Sequence, residues 1–166
     1  MRTLKLAVFA AALMALAACS SGSKFRSYNG PEVTRIIVQK SDRMMYLMHH
    51  DKVLRSFDIG LGFAPEGDKL REGDGKTPEG NYFINRRNPN SQFHLSVGIN
   101  YPASHDRAEA ARAGVSPGGD IFIHGRPKKY RNGIRDWTAG CIAVTDREVE
   151  LIYAMVKNGT PITINP

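Results

Sequence analysis

Residues 135–145 read Arg-Asp-Trp-Thr-Ala-Gly-Cys-Ile-Ala-Val-Thr, and the chain changes its period within and just after this stretch. Cys141-Ile-Ala-Val144 is a short apolar run with the look of a buried strand. Thr145-Asp-Arg-Glu148 is a capping box, in which a hydroxyl and a carboxylate three residues apart satisfy each other's backbone N–H groups at a helix start. Val149, Ile152, Tyr153 and Val156 then fall on one helical face, Asn158-Gly159 ends the helix, and Pro161 to Ile164 reads as a final strand.

Upstream the period is mostly two. Thr34–Lys40, Arg43–His49 and Lys52–Ile59 are β-branched or alternating runs separated by Ser41-Asp42 and His50-Asp51, a pattern that predicts an antiparallel meander with tight turns. The run from Gly60 to Gly80 is rich in Gly, Pro and charge and is expected to lie outside the core. Further strands are predicted at Asn81–Arg86, Phe93–Ile99 and Asp120–His124, with a short helix over Ser104–Ala113 stopped by Gly114. The fold class expected is mainly β with one or two short helices. Met44, Met45 and Met48 read as core packing.

The role of Cys141 depends on the far end of the chain. Residues 1–18 carry Arg2 and Lys5 ahead of an apolar stretch too short to span a bilayer, which is an export signal. Leu16-Ala17-Ala18-Cys19 resembles a bacterial lipobox, so Cys19 is the expected lipidation site and residues 19–33 a tether carrying Ser20-Ser21-Gly22-Ser23. An ordinary secretory peptide with an incidental Cys19 thiol is the alternative. The lipobox reading implies a periplasmic protein held to the membrane by its lipid anchor, with Ser20 favouring the outer membrane.

Export changes the options for Cys141, because disulfides persist outside the cytoplasm. With Cys19 consumed by lipid, the only other cysteine has no partner, and an odd thiol there marks reactivity. Structural zinc needs several ligands at short spacing, and none surrounds Cys141, so no metal and no cofactor is expected. The formal charge of +7 falls to +5 once Arg2 and Lys5 leave with the signal. Nucleic acid is an unsuitable partner outside the cytoplasm; an acidic polymer of the envelope suits the charge, as does a merely solvated basic surface, and the charge does not decide between them. Gly73-Asp-Gly-Lys-Thr77 imitates the end of a phosphate-binding loop, but Leu70 stands where the first glycine is required.

A cysteine nucleophile requires a base, because the thiolate attacks and the thiol predominates at neutral pH. His49 and His50 fall at a hairpin end, and His105 near a helix start. His124 ends a strand and meets Gly125, where a rigid side chain can reach a cleft. Spacing favours His124 over His94 but leaves both open.

His124-Gly125, an intervening loop, and Thr138-Ala139-Gly140-Cys141-Ile142 resemble the signature of the YkuD-type L,D-transpeptidase family. Lys76-Thr77-Pro78-Glu79-Gly80 resembles that family's Thr-Pro-x-Gly element. The resemblance spans Thr34 to Ile164 and implies a catalytic domain over residues 34–166 with the family's β-sandwich and short helices. It implies that Cys141 is the nucleophile, that His124 is the base and later the acid, and that the Gly125 carbonyl orients the imidazole. Gly140 and Cys141 would supply oxyanion-hole N–H groups, Gly140 also letting substrate backbone approach. The implied reaction is acyl transfer on the tetrapeptide stems of peptidoglycan through a cysteine thioester.

The chain departs from the resemblance at Ala143, where many members carry Arg or Asn. Gly-Cys-Ile-Ala-Val is similar to the branch that cleaves murein from its attached lipoprotein, so a murein-bound lipoprotein is a second candidate partner. Hydrolysis or amidase action is the alternative outcome, and a non-catalytic murein-binding lipoprotein a third. Trp137, Thr138, His94 and Arg135 are further candidates for substrate binding, Trp137 having core packing as its other reading. Arg126, Lys128, Lys129, Arg131 and Arg135 form a charged loop whose default role is a solvated lid, the other readings being binding of stem carboxylates or lowering of the thiol pKa. Asp136 reads as a turn residue.

Overall fold

The computed structural model describes residues 23–126 and 133–166. The export signal, Cys19, Lys128, Lys129 and Arg131 lie outside the described residues. In chain order the elements are β1 (Arg35–Gln39), β2 (Met44–His49), β3 (Lys52–Asp58), β4 (Gly80–Asn88), β5 (Ser96–Ile99), α1 (Ser104–Arg112), β6 (Phe122–His124), β7 (Ile142–Ala143), α2 (Asp146–Met155) and β8 (Pro161–Asn165). Among the described residues the mainly β class with two helices is therefore observed.

The first three strands form the expected meander, with Ile37 opposite Tyr46 and Met45 opposite Phe57. Arg43 and His50 sit at its turns with positive φ, 56° and 52°. Ile36 and Val38 alternate into the core as a half-buried strand requires. In β2 the alternation breaks where the register shifts between Leu47 and Met48, and both neighbours turn inward. An extra residue on one strand has that effect. Met45 and Met48 are buried, while Met44 is half-buried.

The last strand becomes central. β8 runs parallel to β1 and antiparallel to β4, so the strands follow the order β3-β2-β1-β8-β4-β5-β6-β7. The two ends of this curled sheet are then joined. Gly60, just past β3, exchanges both backbone hydrogen bonds with Ala143 of β7 at 2.8 Å each. The core inside contains Ile36, Leu47, Ile84, Leu95, Ile123, Ile142 and Ile162.

α2 covers this core from the β5–β6 side and buries Val149, Ile152 and Met155, with Tyr153 partly buried. Its capping box is formed as expected: Thr145 Oγ1 accepts from the Glu148 N–H, and the Glu148 carboxylate accepts from the Thr145 N–H at 2.7 Å. α1 ends before Gly114, whose φ of +67° suits a helix stop.

Three expectations need correction. Phe93–Ile99 is not one strand: β5 starts at Ser96, because its partner β6 ends opposite it at His124. Residues 93–95 form a turn instead, with His94 at φ +74° and the Phe93 carbonyl accepting from Gly125. The Gly60–Gly80 run is not peripheral either, since Leu61 and Thr77 are fully buried. Its polar residues find internal partners, Lys69 on Asp74 at 2.8 Å and Lys40 on Glu79 at 2.6 Å. Val33, expected in the tether, lies in the core, and Lys24 and Arg26 of the tether bond to Pro89 O and Glu150.

Candidate active site

The parallel pairing of β6 with β7 sets Ile123 beside Ile142 and His124 beside Ala143. Cys141 enters β7 one residue earlier, next to Phe122. Residues side by side on paired strands share a face, and every second residue returns to it. Phe122, His124, Cys141 and Ala143 therefore share one face of the sheet. His124 and Cys141 both open into a cavity of about 570 Å³, lined also by Phe93, Ser96, Asp120 and Phe122.

His124 is 3% exposed. Its Nδ1 lies 2.7 Å from the Gly125 carbonyl oxygen, which can only accept, so the proton sits on Nδ1 and Nε2 is left with its lone pair. The Phe93 ring stacks on the imidazole at 4.4 Å between centroids, and the Trp137 ring meets it edge-on at 5.7 Å. Gly125 is needed here. A Cβ on it would stand 2.6 Å from Asp146 Oδ1 and 2.6 Å from the Phe93 carbonyl oxygen.

Burial holds the His124 pKa below its ordinary value, against the opposing effect of the Gly125 hydrogen bond, and the Arg126 charge pushes in the same direction as burial. The Cys141 thiol is pushed up, again chiefly by burial, although the Phe122 N–H opposes that shift. Cys141 Sγ accepts from the Phe122 N–H at 3.4 Å, and the thiol donates to the Asp120 carbonyl at 3.5 Å. Both shifts favour the uncharged forms, thiol and neutral imidazole.

The turn that presents Cys141 is held by Thr138. Its hydroxyl donates to the Cys141 carbonyl at 2.7 Å and accepts from the Gly140 N–H at 3.1 Å. Thr138 is buried and its hydroxyl has both partners inside the turn. The same bond engages the Gly140 N–H, whereas no acceptor among the described residues takes the Cys141 N–H. Gly140 has φ +137°, and a Cβ there would stand 2.6 Å from the Lys76 carbonyl oxygen. The protein's own loop thus makes a close approach that requires glycine here.

The other candidates separate. His94 turns away to Glu150, with Nε2 2.9 Å from Oε1. Arg135 bonds to Asp58 Oδ1 and the Ile59 carbonyl and lines a separate depression with Arg126, Thr145 and Glu148. Trp137 backs the imidazole. Asp136 anchors the loop by pairing with Arg43 at 3.0 Å and accepting from the Leu61 N–H at 2.9 Å. Ala143 is fully buried. Phe93, Asp120 and Phe122 were not singled out from sequence. Only strand register brings Phe122 and Asp120 to Cys141, and Phe93 offers no signal beyond its place beside His94.

A family profile described as the L,D-transpeptidase catalytic domain, YkuD, matches residues 33–164. YafK of Escherichia coli strain K12, a candidate L,D-transpeptidase, is 30% identical over 107 residues, covering 63% of this chain and 38% of YafK. The helical cell shape determining protein Pgp2 of Campylobacter jejuni superposes with a TM-score of 0.62 at 26% identity, covering 90% of this chain and 53% of Pgp2. An L,D-transpeptidase from Mycobacterium smegmatis has the same fold, with a TM-score of 0.55 at 15% identity over 81% of this chain and 59% of its own. The chain thus spans about half the length of the solved relatives and less of the curated one.

Proposed function

The chain belongs to the YkuD family of L,D-transpeptidase catalytic domains, and from that premise we propose that it transfers acyl groups on peptidoglycan stem peptides through Cys141. The peptidoglycan-related role follows from the family. The observation that carries the cysteine chemistry is the placement of His124, with Nδ1 tied to Gly125 and Nε2 bare, on the sheet face that also bears Cys141.

In this reading His124 Nε2 takes the thiol proton as Sγ attacks the carbonyl of the stem's diamino acid at its L-centre. The Cys141 N–H stabilises the oxyanion. The carbon–nitrogen bond then breaks, and His124 returns the proton to the amine of the departing D-residue. The thioester left on Cys141 is resolved by an amine, giving a cross-link, or by water. No metal or cofactor enters the scheme. The export signal, the lipid on Cys19 and a place in the periplasm at the outer membrane complete the proposal.

Ala143 favours a second outcome. A buried methyl supplies no polar contact to an acceptor, which suits hydrolysis or release of a murein-bound lipoprotein over cross-linking. Incubating the soluble domain with muropeptides, with and without an amine acceptor, separates the readings. Cross-linked product supports transpeptidation, tripeptide alone supports hydrolysis, and unchanged substrate supports a binding protein without catalysis. Activity surviving in Cys141→Ala would overturn the cysteine mechanism.

A further inference from the structure

Arg86, Gly98, Phe122 and Cys141 form one row across β4, β5, β6 and the start of β7. Arg86 is opposite Gly98, Gly98 is opposite Phe122, and the β6–β7 register sets Cys141 beside Phe122. Gly98 leaves the space that the arginine occupies. A Cβ on Gly98 would stand 2.6 Å from Arg86 Cγ, 2.7 Å from Arg86 Nε and 3.0 Å from Phe122 Cε1. The guanidinium accordingly lies across β5 with its carbon 4.4 Å from the Phe122 ring centroid, and it donates to Asp120 Oδ1 at 2.7 Å. Asp120 itself lines the cavity, and its carbonyl accepts from the Cys141 thiol.

This ion pair is poorly explained as a structural brace. The Arg86 side chain is 45% exposed and that of Asp120 82% exposed, and pairs so open to water contribute little to stability. Asp120 nevertheless holds a left-handed backbone, φ +57°, that few non-glycine residues adopt. An exposed cation and anion, fixed side by side at the mouth of a reactive cavity, can exchange partners with a ligand carrying both charges. A lone carboxylate would leave Asp120 unpaired, and a lone amine would leave Arg86 unpaired. A zwitterion satisfies both.

We propose that Arg86 and Asp120 together receive an α-amino-acid head group, Arg86 taking its carboxylate and Asp120 its ammonium. The ligand class is the free end of a diamino acid in the stem peptide, and this step rests on the acyl-transfer reading above. The dimensions overlap. The guanidinium lies across β5 against the Phe122 ring, and β7 with Cys141 is two strands from β5, so the span to be bridged is between one and two strand spacings, about 5–10 Å. Four carbon–carbon bonds separate the two centres of diaminopimelate, about 5 Å when extended. The L-centre carbonyl can then reach Sγ while the other centre meets the pair.

The test is direct binding, by calorimetry, of tripeptide stems whose third residue is diaminopimelate, lysine or aminopimelate. These end in a zwitterion, an amine alone and a carboxylate alone, and free diaminopimelate is included as a separate ligand. The wild type is expected to bind the zwitterionic tripeptide at least about tenfold tighter than either single-charge analogue. Arg86→Gln should reduce it to the level of the lysine stem, and Asp120→Asn, which keeps a residue tolerant of left-handed backbone, to the level of the aminopimelate stem. Stronger binding of the free amino acid than of any tripeptide would support the receptor and assign it to the acceptor side. Equal binding of all three stems, no binding of any, or a preference that survives both substitutions would overturn the proposal. Mass measurement of the Cys141 adduct formed from tetrapeptide is run on the same samples. Acylation without a zwitterion preference defeats the receptor alone, and a preference without acylation defeats the cysteine chemistry alone.

Discussion

His124 Nδ1 and the Gly125 carbonyl oxygen stand 2.7 Å apart, a contact between adjacent residues that decides which imidazole nitrogen can act as a base. The pH dependence follows from it and from burial. With the His124 pKa lowered, the neutral form persists to more acid pH than for an ordinary histidine. The acylation rate should therefore hold as pH falls through the usual imidazole range and decline only below it. The Cys141 thiol is shifted upward, so iodoacetamide should alkylate it slowly at neutral pH and faster only above the usual thiol range. A rapid, pH-independent alkylation near neutrality would mean a preformed thiolate–imidazolium pair instead.

Thr138 is a positioning residue for the turn that bears Cys141. Replacing it with Val removes one donor and one acceptor from a buried site, leaving the Cys141 carbonyl and the Gly140 N–H without their partner. The expected cost is about 1–3 kcal/mol in stability together with a fall in kcat. Thr138→Ser should restore most of both. Thermal melting and acylation kinetics on the two variants check this, and a Val variant with unaltered kcat would remove Thr138 from the catalytic geometry.

Lys69 and Asp74 tie the loop that passes over Gly140. Their side chains are only 3% and 9% exposed. Burial raises the Asp74 pKa, but the Lys69 ammonium and the N–H groups of Arg71, Lys76 and Leu70 outweigh it and hold the carboxyl down at about 2. A depressed carboxyl adds stability above its unfolded-state pKa, near 3.8, and that contribution is lost as pH falls towards about 2. Asp74→Asn should flatten the acid limb of a plot of melting temperature against pH in that window. Asp74→Ala, which strands a buried ammonium, should cost about 3–5 kcal/mol. An acid limb unchanged in Asp74→Asn would place the titrating group elsewhere.

Strands and helices were legible wherever one face alternates or a cap is local. The β1–β3 meander and the Thr145–Glu148 box needed only near neighbours in sequence. What stayed hidden depends on register between distant segments. The insertion of β8 beside β1, the Gly60–Ala143 closure and the row from Arg86 to Cys141 each join residues with no common local pattern. His94 was misplaced because its alternating neighbours imitate a strand that has no partner beyond Ser96. The partners of Thr138 stayed hidden because sequence does not say which way a hydroxyl in a turn will point.

Ala143 offers the sharpest test of how far the cleft extends. It is fully buried, stands beside His124, and holds Gly60 through both backbone groups. The partner is confined as well, since a Cβ on Gly60 would stand 2.1 Å from the Arg135 carbonyl oxygen and 2.8 Å from Arg126 Nη2. A long side chain at 143 therefore has protein to displace before it can reach substrate. Ala143→Arg is expected to lose about 1–3 kcal/mol through overpacking, with no gain in cross-linked product. Ala143→Ser should retain both stability and the wild-type product ratio. Melting temperature and the ratio of cross-link to tripeptide, measured on the same samples, decide the matter. If Ala143→Arg melted like wild type and turned tripeptide into cross-link, position 143 would be open to the acceptor, and its identity alone would select the reaction outcome.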